Sequence, residues 1–196
     1  LTYIKPQQVS TIQAMLLNTR SIGNKTIALK TALIDHQIKL AFFTETWLKI
    51  SDPHYNSVWK ELLPDKYKFI HRPRPSKKSG GGIAAVFSDS VDICELDTPL
   101  FTSFECLCLR VNQHSKDSHL AIVIYRPPQL SIPQFLDDLR TLLTFCTPLS
   151  CQTLVCGDIN IHLDRDTSYK QKFIQLMSDY HISVPISPAP THVGGH

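Results

Sequence analysis

Short unbroken apolar runs alternate along this chain with segments whose apolar residues recur every three or four positions. The first pattern reads as buried strands and the second as amphipathic helices. Residues 11–17 predict a strand that delivers Asn18 at its end. Leu40-Ala41-Phe42-Phe43-Thr44 predicts a strand buried on both faces, and residues 67–71, 83–87, 91–96, 104–111 and 120–125 predict further strands. Asn24 suits a helix N-cap, with Ile27, Leu29, Ala32, Leu33 and Ile34 as the apolar stripe that follows. A short helix is expected near residues 58–63. Ser131-Ile132-Pro133 opens a longer one that runs to about Cys146, with proline in its first turn. Thr153-Leu154-Val155-Cys156 forms a strand closing on Gly157-Asp158. A last helix covers roughly residues 168–180, with Phe173, Leu176 and Met177 on its inner face.

Consecutive strands in the middle of the chain are joined by short polar turns, which favours antiparallel pairing, and helices follow strands near both ends. The expected architecture is α/β: two packed, mixed, largely antiparallel sheets with helices outside them. No repeat, long linker or break in composition divides the 196 residues, so they read as a single domain. With 42% hydrophobic and 19% charged residues, the composition excludes disorder, a collagen-like repeat and a disulfide scaffold.

Charge and cysteine content narrow the picture only slightly. The formal net charge is +3, which permits a polyanionic partner without requiring one. From His71 to Gly82 the chain carries Arg72, Arg74, Lys77 and Lys78 and no acid. That stretch reads either as a phosphate-contacting loop or as an ordinary solvated one. The cysteines, Cys94, Cys106, Cys108, Cys146, Cys151 and Cys156, include no C-x-x-C pair, which argues against zinc. Most lie in apolar elements, as free thiols in a reducing compartment do. No apolar run has the length of a membrane helix.

The chemistry collects at predicted strand ends. Asn18, Glu45, Tyr125, Arg126, Asp158 and Asn160 each follow an apolar strand, the placement by which rigid elements hold site groups. Each also has a plain reading as a turn, surface or packing residue. As a set, the group suits metal-assisted phosphoryl hydrolysis. Mg²⁺ takes oxygen ligands from one or two carboxylates, a second carboxylate can activate water, and amides and a phenol can orient nucleophile and phosphate.

These residues lie in six ordered segments: Leu16-Leu17-Asn18-Thr19-Arg20-Ser21, Thr44-Glu45-Thr46-Trp47-Leu48, Gly80-Gly81-Gly82-Ile83-Ala84, Ile124-Tyr125-Arg126-Pro127-Pro128, Gly157-Asp158-Ile159-Asn160 and Pro190-Thr191-His192. Together they resemble the endonuclease/exonuclease/phosphatase superfamily. Within it they are most similar to the apurinic-endonuclease-like domain of LINE-type non-LTR retrotransposons. The resemblance implies a DNase I-like four-layer sandwich and Mg²⁺-dependent nicking of DNA (Mn²⁺ as the alternative ion) that leaves a 3′-hydroxyl for reverse transcription. It implies a metal-binding role for Glu45 and a supporting one for Asn18. It also implies a phosphate contact for Tyr125, a water-activating role for Asp158 and a water-orienting role for Asn160. DNA contacts are expected from Arg126, Arg72, Arg74, Lys77, Lys78 and Thr191, with no small-molecule cofactor and no membrane. Action on chromosomal DNA implies an intracellular, nuclear site.

The family pattern continues with an aspartate-bearing strand and a terminal Ser-Asp-His. Ser88-Asp89-Ser90 and Ser178-Asp179-Tyr180 both depart from that triplet at the third position. The expectation is therefore a domain incomplete at its C-terminus, with its last strands missing, impaired turnover and open sheet edges. Two other readings stay open: a non-catalytic remnant that folds or binds DNA, and another superfamily phosphoesterase, such as a phosphoinositide phosphatase.

Overall fold

The apolar strand runs build two sheets that pack face to face, with helices on their outer faces. The computed structural model describes residues 11–74, 80–112 and 118–185. Its main elements are β1 (Ala14–Asn18), α1 (Thr26–Asp35), β2 (Leu40–Thr44), α2 (Tyr55–Leu62), β3 (Tyr67–Arg72), β4 (Ile83–Ser88), β5 (Asp92–Leu96), β6 (Glu105–Asn112), β7 (Ser118–Tyr125), α3 (Ile132–Cys146), β8 (Gln152–Asp158) and α4 (Ser168–Asp179). One sheet has the order β1-β2-β4-β3 and the other β5-β6-β7-β8. In each, one edge pair is parallel, β1 with β2 and β7 with β8, and the other neighbours are antiparallel.

The period-two pattern sorts side chains into layers. Leu40, Phe42, Ile83, Ala85 and Phe87 of the first sheet meet Leu107, Leu109, Val111, Ala121, Val123 and Tyr125 of the second. The opposite face of the first sheet, through Ala41, Phe43, Ala84 and Val86, packs on Leu29 and Leu33 of α1 and Trp59 and Leu62 of α2. Cys108, Leu120, Ile122 and Ile124 on the outer face of the second sheet pack on α3 and α4 through Phe135, Leu139, Leu142, Phe173 and Leu176. The result is helix–sheet–sheet–helix, as expected from the strand patterns.

Helix α1 departs from expectation. It starts at Thr26 with Lys25 rather than Asn24 at the N-cap position, and no side chain caps it. Its buried stripe is Thr26, Leu29 and Leu33, while Ile27 and Ile34 are exposed. Thr26 turns inward because its hydroxyl donates to Glu61 on α2 (2.5 Å). By contrast, α3 begins as predicted, with Ser131 accepting from Gln134 N. The cysteines are all free, and Cys108 and Cys146 are buried. Among the described residues no helix is long and apolar enough to cross a membrane.

Strand direction fixes where the chemistry can sit. The parallel pairs place the C-terminal ends of β1 and β2 in register at Asn18 and Thr44, and those of β7 and β8 at Tyr125 and Asp158. Because β1 and β2 both pack against β8, these four ends converge at one end of the sandwich.

Candidate active site

Each site residue stands where a strand stops, and backbone strain collects there. Arg20, Ser21, Glu45, Trp47 and Asn160 all have positive φ, between 41° and 80°. Non-glycine residues rarely hold that conformation unless the surroundings impose it, and such outliers concentrate at functional sites.

Asn18 joins the two halves. Its amide nitrogen donates to Glu45 Oε1 (2.8 Å) and to Asp158 Oδ2 (2.7 Å), carboxylates from different sheets. Its own Oδ1 accepts from Arg20 N–H (3.2 Å). The amide donors are thus spent on the two acids, and Asn18 acts by positioning them. Glu45 is held a second time, by Trp47 Nε1–H on Oε2 (3.0 Å). Asp158 is held a second time by Asn160 N–H on Oδ1 (3.1 Å). Each carboxylate oxygen keeps a further lone pair.

Arg126 corrects the sequence reading. It was expected on the DNA, yet it is 1% exposed. Its guanidinium donates to four backbone carbonyls: Ile159 O (2.6 Å), Pro127 O (3.2 Å), Leu130 O (2.6 Å) and Asn160 O (2.5 Å). Its backbone N–H donates to Asp158 O (2.9 Å), and its own carbonyl accepts from Asn160 Nδ2 (2.7 Å). Arg126 therefore ties the end of β7 to the end of β8 and sets the places of Asp158 and Asn160. Irregular backbone buried at a strand end needs such donors.

A cleft of about 360 Å³ opens between the strand ends, lined by Glu45, Tyr125, Asp158, Asn160, Arg74 and Trp47 among others. Burial, and next the negative charge of Glu45, push the Tyr125 phenol up to about 12, against the opposing pull of Arg74. The phenol thus keeps its proton at neutral pH and can donate it in a hydrogen bond. Of the other expected DNA contacts, Arg74 lines this cleft. Arg72 does not: it pairs with Glu95 (2.5 Å) and with Asp97 (3.9 Å), bridging the β3 and β5 edges. Lys77, Lys78 and Thr191 lie outside the described residues. Arg20 and Trp47 line the cleft without having been assigned by sequence reasoning, and Glu105, bonded to Arg74, was not assigned either. Trp47 lay inside a recognised segment, whereas nothing local to Glu105 signals its place.

The donor set suits a hard divalent cation. Two carboxylates converging on one amide nitrogen repel each other, and Mg²⁺ or Mn²⁺ takes such oxygens while leaving positions for water and phosphate. Among the described residues no group of three or more His, Cys, Asp or Glu forms a metal cage. Glu45 is the group that would hold the ion, with the Asp158 carboxylate facing it across the Asn18 amide.

Behind Glu45, His71 braces the turn that carries it. Thr46 Oγ1 lies 3.0 Å from His71 Nε2, and Tyr55 Oη lies 3.2 Å from Nδ1. Burial lowers the His71 pKa from 6.5 to about 4. Because the folded value lies below the unfolded one, the contribution is complete above pH 6.5 and is lost as pH falls from 6.5 toward 4. Acidification to pH 5 is expected to cost about 2 kcal/mol and to lower the melting midpoint by about 4–8 °C. His71→Gln should flatten that dependence; an unchanged slope would show that His71 is not its source.

The fold has solved counterparts. The chain is similar to the endonuclease domain of TRAS1, a telomere-specific non-LTR retrotransposon (TM-score 0.61, 11% identity, 86% of this chain and 72% of that one). It is similar to a 3′ phosphatase from Neisseria bound to a product DNA hairpin (TM-score 0.60, 16% identity, 87% and 71%). It is also similar to an AP endonuclease from Archaeoglobus fulgidus (TM-score 0.59, 14% identity, 86% and 70%). No family model matches the sequence, and no curated protein does. The chain has the DNase I-like fold.

Proposed function

We propose that this chain is a divalent-metal-dependent phosphodiesterase whose substrate is DNA. The observation that carries this reading is the single amide of Asn18 holding Glu45 and Asp158 together at the mouth of a cleft that also holds a protonated tyrosine. That arrangement provides a metal-binding acid, a base for water and a donor to phosphate on three separate strand ends. The finer reading, nicking of target DNA that leaves a primer 3′-hydroxyl, is supported by the ordered segments and by the TRAS1 endonuclease domain among the structural neighbours.

In this mechanism Glu45 would hold the ion, and Asp158 would accept a proton from the attacking water. A bound divalent cation supplies Lewis acidity at the phosphate and offsets charge in the transition state. Asn160 donates through Nδ2 to Arg126 O, which leaves its Oδ1 as the acceptor available to water. Tyr125 donates its phenolic proton to a phosphate oxygen, a bond that strengthens as charge grows there.

The chain is expected to convert supercoiled plasmid to the nicked circle in Mg²⁺, to stop on addition of EDTA, and to leave ends that a polymerase extends without prior phosphatase treatment. Phosphate release from a phosphomonoester with no nicking would favour the 3′ phosphatase chemistry named for the Neisseria neighbour. A salt-dependent gel shift with neither activity would leave only DNA binding.

A further inference from the structure

We propose that Arg74 is the cation that binds the non-bridging oxygens of the scissile phosphate, with Glu105 as the residue that positions it. The proposal deepens the phosphodiesterase reading and rests on it.

Arg74 belongs by sequence to a basic stretch that reads either as a phosphate-contacting loop or as a solvated one, and its side chain is only 16% exposed and faces the cleft shared by Glu45, Tyr125 and Asp158. Its Nε–H donates to Glu105 Oε1 at 2.6 Å, and the guanidinium carbon lies 5.6 Å from the centroid of the Tyr125 ring. Cation and phenol therefore stand side by side at the same wall.

Glu105 is placed there by sheet register. It opens β6 directly opposite Tyr125, the last residue of β7. Its second oxygen accepts from Gly82 N–H at 2.6 Å, so the carboxylate is fixed at both ends. Burial raises the Glu105 pKa, and Arg74 and the Gly82 N–H oppose the rise. The triple glycine also finds a purpose. A Cβ on Gly81, whose φ is +73°, would overlap both Arg74 Nε and Glu105 Oε1. The glycine backbone thus leaves open the volume that this ion pair fills.

A half-desolvated ion pair is a weak source of stability, because the cost of removing two charges from water offsets most of their attraction. What it does provide is a charge with a fixed address. Arg20 also lines the cleft, which presents the carboxylates of Glu45 and Asp158 to an anionic substrate. A guanidinium held beside them gives the phosphate oxygens a planar, permanently charged donor. A pre-set donor of this kind stabilises charge that develops in the transition state without reorganising.

The test compares wild type, Arg74→Ala, Arg74→Lys, Glu105→Gln and the charge-swapped pair Arg74→Glu with Glu105→Arg. Cleavage of a short DNA duplex in Mg²⁺ gives kcat and KM, and thermal unfolding gives the midpoint. Arg74→Ala should lower kcat at least tenfold with KM changed less than threefold, and Arg74→Lys should recover part of the loss. Glu105→Gln should lower kcat in the same direction. The swap should recover the thermal midpoint of the pair but not kcat, since it puts a carboxylate where the cation stood. A swap that restores kcat, or an Arg74→Ala effect confined to KM, overturns the proposal. Binding of inorganic phosphate followed by ³¹P NMR separates this from the broader reading. If wild type binds phosphate but never cuts DNA, the phosphodiesterase reading fails. Arg74 keeps its role if Arg74→Ala weakens phosphate binding tenfold, and loses it if that binding is unchanged or if wild type binds none.

Discussion

Asp158→Asn is expected to leave the protein folded and to reduce plasmid nicking by roughly 10²–10⁴-fold, the range that a positioned proton acceptor contributes. The substitution keeps the shape of the side chain and an oxygen for the Asn160 N–H, which bonds Oδ1 at 3.1 Å. It changes the other position, where Oδ2 now accepts from the Asn18 amide at 2.7 Å. An amide there would either face the Asn18 donor with its own NH₂ or rotate and turn that NH₂ toward the Asn160 N–H. In both cases the proposed base for the attacking water would be lost, and with it one of the two negative charges held together by Asn18. Asn18→Ala should fall in the same direction while retaining both acids, because Glu45 and Asp158 then lose their shared tether. Single-turnover conversion of supercoiled to nicked plasmid measures both variants, and thermal unfolding confirms that they are folded. A loss below threefold for Asp158→Asn would show that the Gly157-Asp158 segment is a strand end and not part of the chemistry.

The contrast between what the sequence announced and what it concealed has a physical origin. Strands such as β2 and β4 are apolar at nearly every position, with β2 buried throughout, so their continuous runs could only be interior. The helix α1 was harder because apolar residues lie on more than one of its faces. Periodicity could not choose between Ile27 with Ile34 and Leu29 with Leu33, and contact with α2 decided it. Asn18, Glu45, Tyr125, Asp158 and Asn160 were legible because each ends a strand within a recognisable segment, and the structure brings all five to one end of the sandwich. Glu105 was not legible. It comes to stand behind Arg74 through a register with β7 and a bond to Gly82 that no local pattern encodes. Arg126 was misread for a related reason. A lone arginine after a strand looks like surface charge, and its true partners are carbonyls of irregular backbone, which sequence does not mark.

That reassignment leads to the largest stability effect expected in the molecule. Arg126→Ala should destabilise the fold by about 4 kcal/mol or more, since hydrogen bonds to a charged donor contribute about 1.5–3 kcal/mol each and the orphaned carbonyls would stay partly buried. Four carbonyls lose their donor at once: Ile159 and Asn160 beyond β8, and Pro127 and Leu130 between β7 and α3. The guanidinium also lies 6.0 Å from the Phe135 ring centroid, so the core beneath α3 loses packing as well as polar bonds. For a chain of this size the melting midpoint should fall by about 8–16 °C. Arg126→Lys is the informative companion. A lysine ammonium keeps the charge but presents its donors from a single nitrogen, and it cannot span carbonyls reached from Nε, Nη1 and Nη2. It should recover less than half of the loss. Nicking should drop in both variants even below their melting range, because the Asn160 carbonyl and the Asp158–Asn160 turn are among the groups released. A surface role on DNA predicts the reverse pattern: an unchanged melting midpoint, near-full activity in Arg126→Lys, and a salt dependence of DNA binding reduced by about one unit of slope in Arg126→Ala. Thermal unfolding together with a salt titration of DNA binding separates the two outcomes.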